Sequence, residues 1–267
     1  MNIYKNLNEI IEYIERNLEN KIDYKIISQI LGTNENTVKR VFPLLTNISI
    51  SEYIRNRRLS NAGFDLYKKD EKIIDLAVKY QYESATAFSR AFEKFHNMKP
   101  SMVKTNPEKL KVFPKLQFEE NIIENFTMEY SIIEMEEKIL YGKGIKTNYI
   151  SIKNDAPEFF KKMSEIYEKK YGEINYGMIV YESRFDSNKC EYWIAYDKEI
   201  SEFERTVLPK SKWLKLKINS QNAKDIQKTS EDFYCKFVPS SKYKLKSIPE
   251  LEYYHDNITE FLIAIED

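Results

Sequence analysis

At 267 residues the chain is long enough for two domains, and its 42 basic and 42 acidic side chains balance to zero net charge. The balance hides an asymmetry. Residues 1–112 carry 19 Lys and Arg against 14 Asp and Glu, and the remainder carries 23 against 28. That suits different partners for the two halves, but would not support nucleic-acid binding without a motif. No apolar run approaches the ~18 residues of a membrane span. The N-terminus lacks the apolar core and cleavage site of a signal peptide. Cys190 and Cys235 fit neither a metal spacing nor a disulfide scaffold. A membrane protein and a secreted cysteine-rich domain are thus excluded, and a reduced cytoplasm is the expected compartment.

Residues 3–18 predict an amphipathic helix, with Ile3, Leu7, Ile10, Ile11, Ile14 and Leu18 on one stripe. A shorter helix spans residues 24–31, and Gly32 ends it. Thr33 or Asn34 then caps a third helix running to about Thr46. Helix, short glycine turn, helix is the helix-turn-helix pattern. Residues 49–67 predict a linking helix, opened by Ser49 and Glu52 at capping-box spacing and buried through Tyr53, Ile54, Leu59, Ala62 and Leu66.

The same device returns fifty residues later. Arg40 falls on Arg90, Phe42 on Phe92, Asn47 on Asn97 and Ser51 on Ser101. Phe88, Ala91, Phe92 and Phe95 give the second reading helix its apolar face. Ala85, Thr86, Ser89, Arg90 and Lys94 lie outward, where small, hydroxylated and basic side chains suit a DNA major groove as well as they suit a solvated surface. Two such helices on one linker reach successive grooves about 34 Å apart. Pro43 lies inside the first reading helix, where it removes a hydrogen bond to Lys39 and predicts a kink.

Residues 105–126 read as a linker with strand character at 112–118 and acidic residues Glu119, Glu120 and Glu124. From Thr127 the period changes. Strands are predicted at 128–135 and 139–145, a helix at 157–171, and strands at 176–181 and 191–196 joined through Asp186, Ser187 and Asn188. A second round follows, with a strand at 211–218, a helix at 222–237, and strands at 251–254 and 260–265 joined through His255, Asp256 and Asn257. Twice the order is strand, helix, strand, strand. The abundance of aromatics, 20 Tyr and 15 Phe, suits a ligand pocket, although a compositionally biased genome gives the same count.

The stretch IIDLAVKYQYESATAFSRAFEKFHNMKPSMV, through Ile73, Ala77, Tyr82, Ser84, Phe88, Arg90, Phe92 and Pro100, resembles the AraC/XylS family of bacterial DNA-binding domains. The first unit resembles it through Ile30, Leu31, Val38, Arg40, Phe42, Ser51, Tyr53, Ile54, Arg57 and Ala62. The family pattern has glycine where this chain has Asn47, Gln81 and Asn97. The resemblance implies double-stranded DNA as partner, contacted through Asn36, Lys39 and Arg40 and through Ala85, Thr86, Ser89 and Arg90. For Lys94, Arg57 and Arg58, phosphate contact and intramolecular salt bridge both stay open.

The C-terminal half resembles the GyrI-like effector-binding domain, through Tyr176-Gly177, Glu191-Tyr192-Trp193-Ile194-Ala195, Lys212-Trp213, Pro239 with Tyr243, Pro249-Glu250-Leu251-Glu252 and Glu260-Phe261-Leu262-Ile263-Ala264-Ile265. This resemblance implies a duplicated βαββ fold and a cationic, lipophilic effector, met by Glu260 with Tyr176, Tyr192, Trp193 and Trp213 as walls. The alternative places Glu260 in solvent and the aromatics in the core.

The expected class is α + (α+β), with an all-α tandem helix-turn-helix domain at 1–106, a linker at 107–126 and an effector-binding domain at 127–267. The expected function is ligand-responsive transcription regulation, acting through the packing of the two halves or through RNA polymerase. No cofactor, metal site or catalytic residue is expected, since His96 and His255 have no partners at catalytic spacing. The competing readings are a small-molecule sequestering protein with a decayed DNA domain, and a hydrolase using Glu260 or Glu252 as general base.

Overall fold

Each predicted helix of the N-terminal part forms, because each has an apolar stripe at helical spacing. In the computed structural model these are α1 (Ile3–Arg16), α2 (Tyr24–Leu31), α3 (Glu35–Thr46), α4 (Ile50–Lys68), α5 (Ile73–Lys79) and α6 (Ala85–His96). The structure describes residues 3–69, 71–119, 128–181 and 188–266. The chain divides into two units, one of Tyr4–Ile30 with Ile50–Asn121, the other of Met1–Ile3, Leu31–Ser49 and Ile122–Asp267. The division falls between Ile30 and Leu31, at the last residue of α2, so α3 belongs with the C-terminal half.

In the helical unit, Phe88 and Phe92 of α6 pack with Leu59, Ala62 and Leu66 of α4, Leu76 and Ala77 of α5, and Tyr80. Asn97 caps α6 at φ 58°, and Gln81 takes φ 63° in the turn between α5 and α6. Both are left-handed positions that glycine fills more easily. Gln81 is steadied there by its side-chain amide, which donates to Glu19 O at 2.9 Å. His96 is buried. Its Nδ1 accepts from Lys111 N at 3.1 Å, which leaves Nε2–H to donate to Leu59 O at 3.0 Å. Burial also lowers the His96 pKa, so the ring is held neutral.

The described part of the expected linker is neither strand nor free tether. Residues 110–119 lie along the helices, with Phe113 N on Ser60 Oγ at 3.1 Å and Phe118 N on Asn8 Oδ1 at 2.9 Å. Helix side chains take the backbone groups that a second strand would otherwise pair. Glu120 and Glu124 lie outside the described residues. Arg57 and Arg58, left open above, have intramolecular partners. Arg57 Nε and NH2 each meet the Glu15 carboxylate at 2.8 Å, and Arg58 meets Leu18 O and Asn20 O, both at 2.8 Å.

Among its described residues the C-terminal unit holds eight strands: β1 (Ser131–Met135), β2 (Lys138–Asn148), β3 (Tyr176–Tyr181), β4 (Lys189–Tyr196), β5 (Glu204–Leu208), β6 (Ser211–Ile218), β7 (Glu250–His255) and β8 (Ile258–Ile265). They form one antiparallel sheet in the order β1-β6-β8-β7-β3-β4-β2-β5. The β7–β8 hairpin turns through Asp256 and Asn257, at φ 45° and 61°, as a two-residue hairpin requires. Asp186 and Ser187, expected at the other hairpin, lie outside the described residues. The sheet curls. β5 and β6 lie six places apart in its order, about 29 Å in a flat sheet. Only Pro209 and Lys210 join them, a link that reaches about 11 Å.

The two faces of the sheet have different cores. Ile179, Tyr192, Ile194 and Tyr196 pack with Phe159, Met163 and Tyr167 of α7 (Ile152–Tyr171). On this same face lie α8 (Ala223–Asp232), its continuation as a π-helical turn Phe233–Phe237, and α9 (Val238–Ser240); Phe233 meets Phe261 edge-on at 6.1 Å. The opposite face holds Leu140, Tyr176, Met178, Ala195, Trp213, Leu251, Leu262 and Ala264.

Candidate functional site

The two predicted reading helices begin and end alike. Asn34 Oδ1 accepts from Thr37 N at 2.9 Å to cap α3, and Ser84 Oγ accepts from Ala87 N at 3.1 Å to cap α6. Asn47 and Asn97 close them in left-handed conformations, φ 57° and 58°. The helix α3 runs through Pro43 to Thr46.

Their outward residues meet different surroundings. On α6, Thr86, Arg90 and Lys94 are exposed, and Ala85 and Ser89 are partly covered. On α3, Asn36 is partly covered and Lys39 is buried. Arg40 is held inside the C-terminal unit. Its NH1 donates to Glu250 Oε2 at 2.6 Å, its NH2 donates to Ser230 Oγ at 2.7 Å, and its guanidinium lies 4.6 Å from the centre of the Tyr234 ring. Glu250 is 2% exposed, and its other oxygen accepts from the Tyr181 and Tyr234 hydroxyls. Burial works against the Arg40 charge most strongly, but Glu250 together with Tyr234, Tyr181 and Tyr149 outweighs it and leaves the Arg40 pKa raised. Arg40, expected to present a fork to guanine, in this conformation donates one prong to the Glu250 carboxylate and the other to the Ser230 hydroxyl.

Beside this pair lies a cavity of about 390 Å³. Phe160, Ile152 and Pro157 of α7, Ile226 and Ser230 of α8, and Pro43, Leu44 and Asn47 of α3 line it. Tyr192 of β4 and Glu252 and Tyr254 of β7 line it from the sheet. The Glu252 carboxylate accepts from Tyr192 Oη at 3.2 Å and from the Tyr254 hydroxyl. Phe160 meets the Tyr254 ring edge-on at 5.1 Å. Gly177 makes room for this group, since a Cβ there would fall 2.5 Å from Tyr192 Oη and 2.6 Å from Glu252 Oε2. Burial raises the Glu252 pKa, against the opposing pull of Tyr254, Arg40 and Tyr192. The site is a largely apolar and aromatic recess with the partly buried Glu252 carboxylate in its wall, and Arg40, Lys153, Lys161 and Glu231 also line it.

Of the five residues expected to form the recess, only Tyr192 lines it. Glu260 is on the opposite face, paired with Lys215 Nζ at 3.0 Å. Tyr176 and Trp213 belong to the core of that face, and Trp193 packs against it. The reason is the two-residue period of a strand. Tyr253 stands opposite Glu260 in the β7–β8 ladder and Glu252 stands opposite Phe261, so Glu260 and Glu252 point to opposite faces. Glu250, Glu252 and Tyr254 share the helix-covered face.

Comparison with known proteins places the chain. A helix-turn-helix domain family model matches residues 27–106. The chain is similar to the HTH-type transcriptional activator AarP of Providencia stuartii, 33% identical over 96 residues, which is 36% of this chain and 71% of that protein. It is also similar to the HTH-type transcriptional regulator YbfP of Bacillus subtilis strain 168, 36% identical over 101 residues, spanning 38% of this chain and only 34% of that protein. Among solved structures, a putative bacterial transcription regulation protein from Staphylococcus aureus MU50 covers 53% of this chain and all of its own, at 20% identity and TM-score 0.45. The chain belongs to the AraC/XylS family of helix-turn-helix transcriptional regulators.

Proposed function

We propose that the chain is a ligand-responsive regulator that binds double-stranded promoter DNA and takes a small, lipophilic organic cation as effector. In this reading α2–α3 and α5–α6 are the two helix-turn-helix units of an N-terminal domain at 1–106. The two strand-helix-strand-strand stretches form a GyrI-like effector domain at 127–267. Thr86, Arg90 and Lys94 on the exposed face of α6 are the principal DNA contacts, flanked by Ala85 and Ser89. A cytoplasmic location goes with this reading, and among the described residues no helix is long and apolar enough to cross a membrane.

The observation that carries the effector reading is Glu252, a partly buried carboxylate held by two tyrosine hydroxyls in an aromatic recess. Aromatic rings attract the face of a desolvated cation, and the carboxylate supplies the countercharge. The test is a thermal-shift titration with quaternary ammonium and arylphosphonium salts. Wild type and Glu260→Gln should be stabilised by the same compounds, and Glu252→Gln should lose the effect. Equal stabilisation of Glu252→Gln would remove Glu252 from the effector site.

The burial of Arg40 favours a second reading, a protein that sequesters small cations and no longer reads DNA with both helices. A genomic DNA pull-down with the full chain separates the two. Enriched sites support the regulator, and their absence supports sequestration.

A further inference from the structure

The partners of Arg40 form a receptor for a flat cation. One Glu250 oxygen and the Ser230 hydroxyl accept from two different guanidinium nitrogens, at 2.6 and 2.7 Å. The Tyr234 ring lies 4.6 Å from the guanidinium carbon. The remaining Glu250 oxygen is occupied by the Tyr181 and Tyr234 hydroxyls, so Glu250 is fixed in place and one acceptor edge is left for the cation. At 2% exposure Glu250 has almost no water to offset its charge, and a buried carboxylate without a countercharge is costly. The cage therefore requires a cation, and Arg40 supplies it.

We propose that this cage is a binding site for organic cations of the guanidinium and amidinium class, distinct from the Glu252 recess, and that Arg40 of α3 is its resident occupant. An effector carrying such a group exchanges with Arg40 and frees α3 from the C-terminal unit. The route is already present, because the cavity that reaches Glu252 is also lined by Arg40 and Ser230. The exchange conserves the contacts. An amidinium offers two parallel N–H groups to Glu250 Oε2 and Ser230 Oγ, and a flat face to Tyr234. Another polar tie between α3 and its surroundings in this unit is Asn34 Nδ2 on Leu245 O at 2.6 Å. Ligand and Arg40 compete for one site, so wild-type affinity is reduced by the fraction of chains with Arg40 docked. Only the consequence for DNA binding rests on the regulator reading above; the site itself does not.

The test uses benzamidine and the full-length chain. By calorimetry, Arg40→Ala should bind benzamidine at least tenfold more tightly than wild type, and Arg40→Ala with Glu250→Gln should lose that binding. By hydrogen exchange on wild type, benzamidine should speed exchange of the amides of residues 41, 42 and 44–47, and Glu260→Gln, on the opposite face of the sheet, should respond like wild type. Equal benzamidine affinity in wild type and Arg40→Ala, or unchanged exchange in α3, would overturn the proposal. The exchange measurement decides the matter if Arg40→Ala does not fold. Neither arm involves DNA or a quaternary cation, so the cage can fail while the Glu252 recess and the regulator reading stand, and the converse also holds.

Discussion

The helices α3 and α6 match at Arg40 with Arg90 and Phe42 with Phe92, and their local structures agree in the N-terminal capping bond and in the left-handed asparagine at the C-terminal end. They differ in what surrounds the arginine at the same position. Arg90 is exposed, whereas Arg40 is paired to Glu250, 210 residues further along the chain. A few repeated positions thus accompany a repeated helix but not repeated surroundings. The surroundings are set by long-range packing, here by a carboxylate that the fold of the C-terminal half brings to α3.

The largest expected effect breaks the comparison from the Arg40 side. Arg40→Ala leaves Glu250 buried and uncompensated, and should destabilise the C-terminal unit by about 3–5 kcal/mol in denaturant unfolding. Replacing both members, Arg40→Met with Glu250→Leu, should recover most of that loss. A double variant as unstable as Arg40→Ala alone would show that the pair's charge is not what the site depends on.

A smaller effect concerns the recess beside that pair. The folded-state pKa of Glu252 is raised, so the native state holds a proton more tightly than the unfolded chain does. As pH rises through the interval between the ordinary carboxylate value and the raised one, Glu252 should cost stability. Over the same interval affinity for a quaternary ammonium probe should grow, because the ionised carboxylate is the countercharge. Glu252→Gln should flatten both profiles. A Glu252→Gln protein with the wild-type pH profile would place the titration elsewhere.

The smallest effect sharpens the comparison at the helix starts. Ser84→Ala removes only a cap and should cost about 1 kcal/mol. Asn34→Ala removes a cap and also the bond to Leu245 O, and should cost more. Equal losses in thermal unfolding would mean that the Leu245 bond adds nothing to α3 docking.

How much of this was legible in the sequence follows from the physics of each signal. Helix periodicity, the Asn34 and Ser84 caps, and the asparagines standing where the family has glycine are local, and each predicts its own element. Gln81 was the harder local case, and its left-handed backbone is steadied by a contact to Glu19, sixty-two residues away in sequence. Glu260, expected at the effector site, faces away from the recess, one register position off the residue that pairs with Glu252. β8 is buried on both faces at Phe261, Leu262, Ile263 and Ala264, so its alternation carries no phase. The ladder register, which the sequence does not reveal, puts Glu252 in the recess and Glu260 on the other side. The Arg40–Glu250 pair was out of reach for the same reason at larger scale, since nothing local in either residue marks the other.

The central claim is that the copied helices have unequal roles. The most direct measurement is the affinity of Arg90→Ala and Arg40→Ala for a duplex selected from a random pool on the wild-type protein. Arg90→Ala should lose about 1–3 kcal/mol of specific binding. Arg40→Ala, whose side chain is engaged with Glu250, should lose clearly less. Equal losses in the two variants, or a larger loss for Arg40→Ala, would contradict the account.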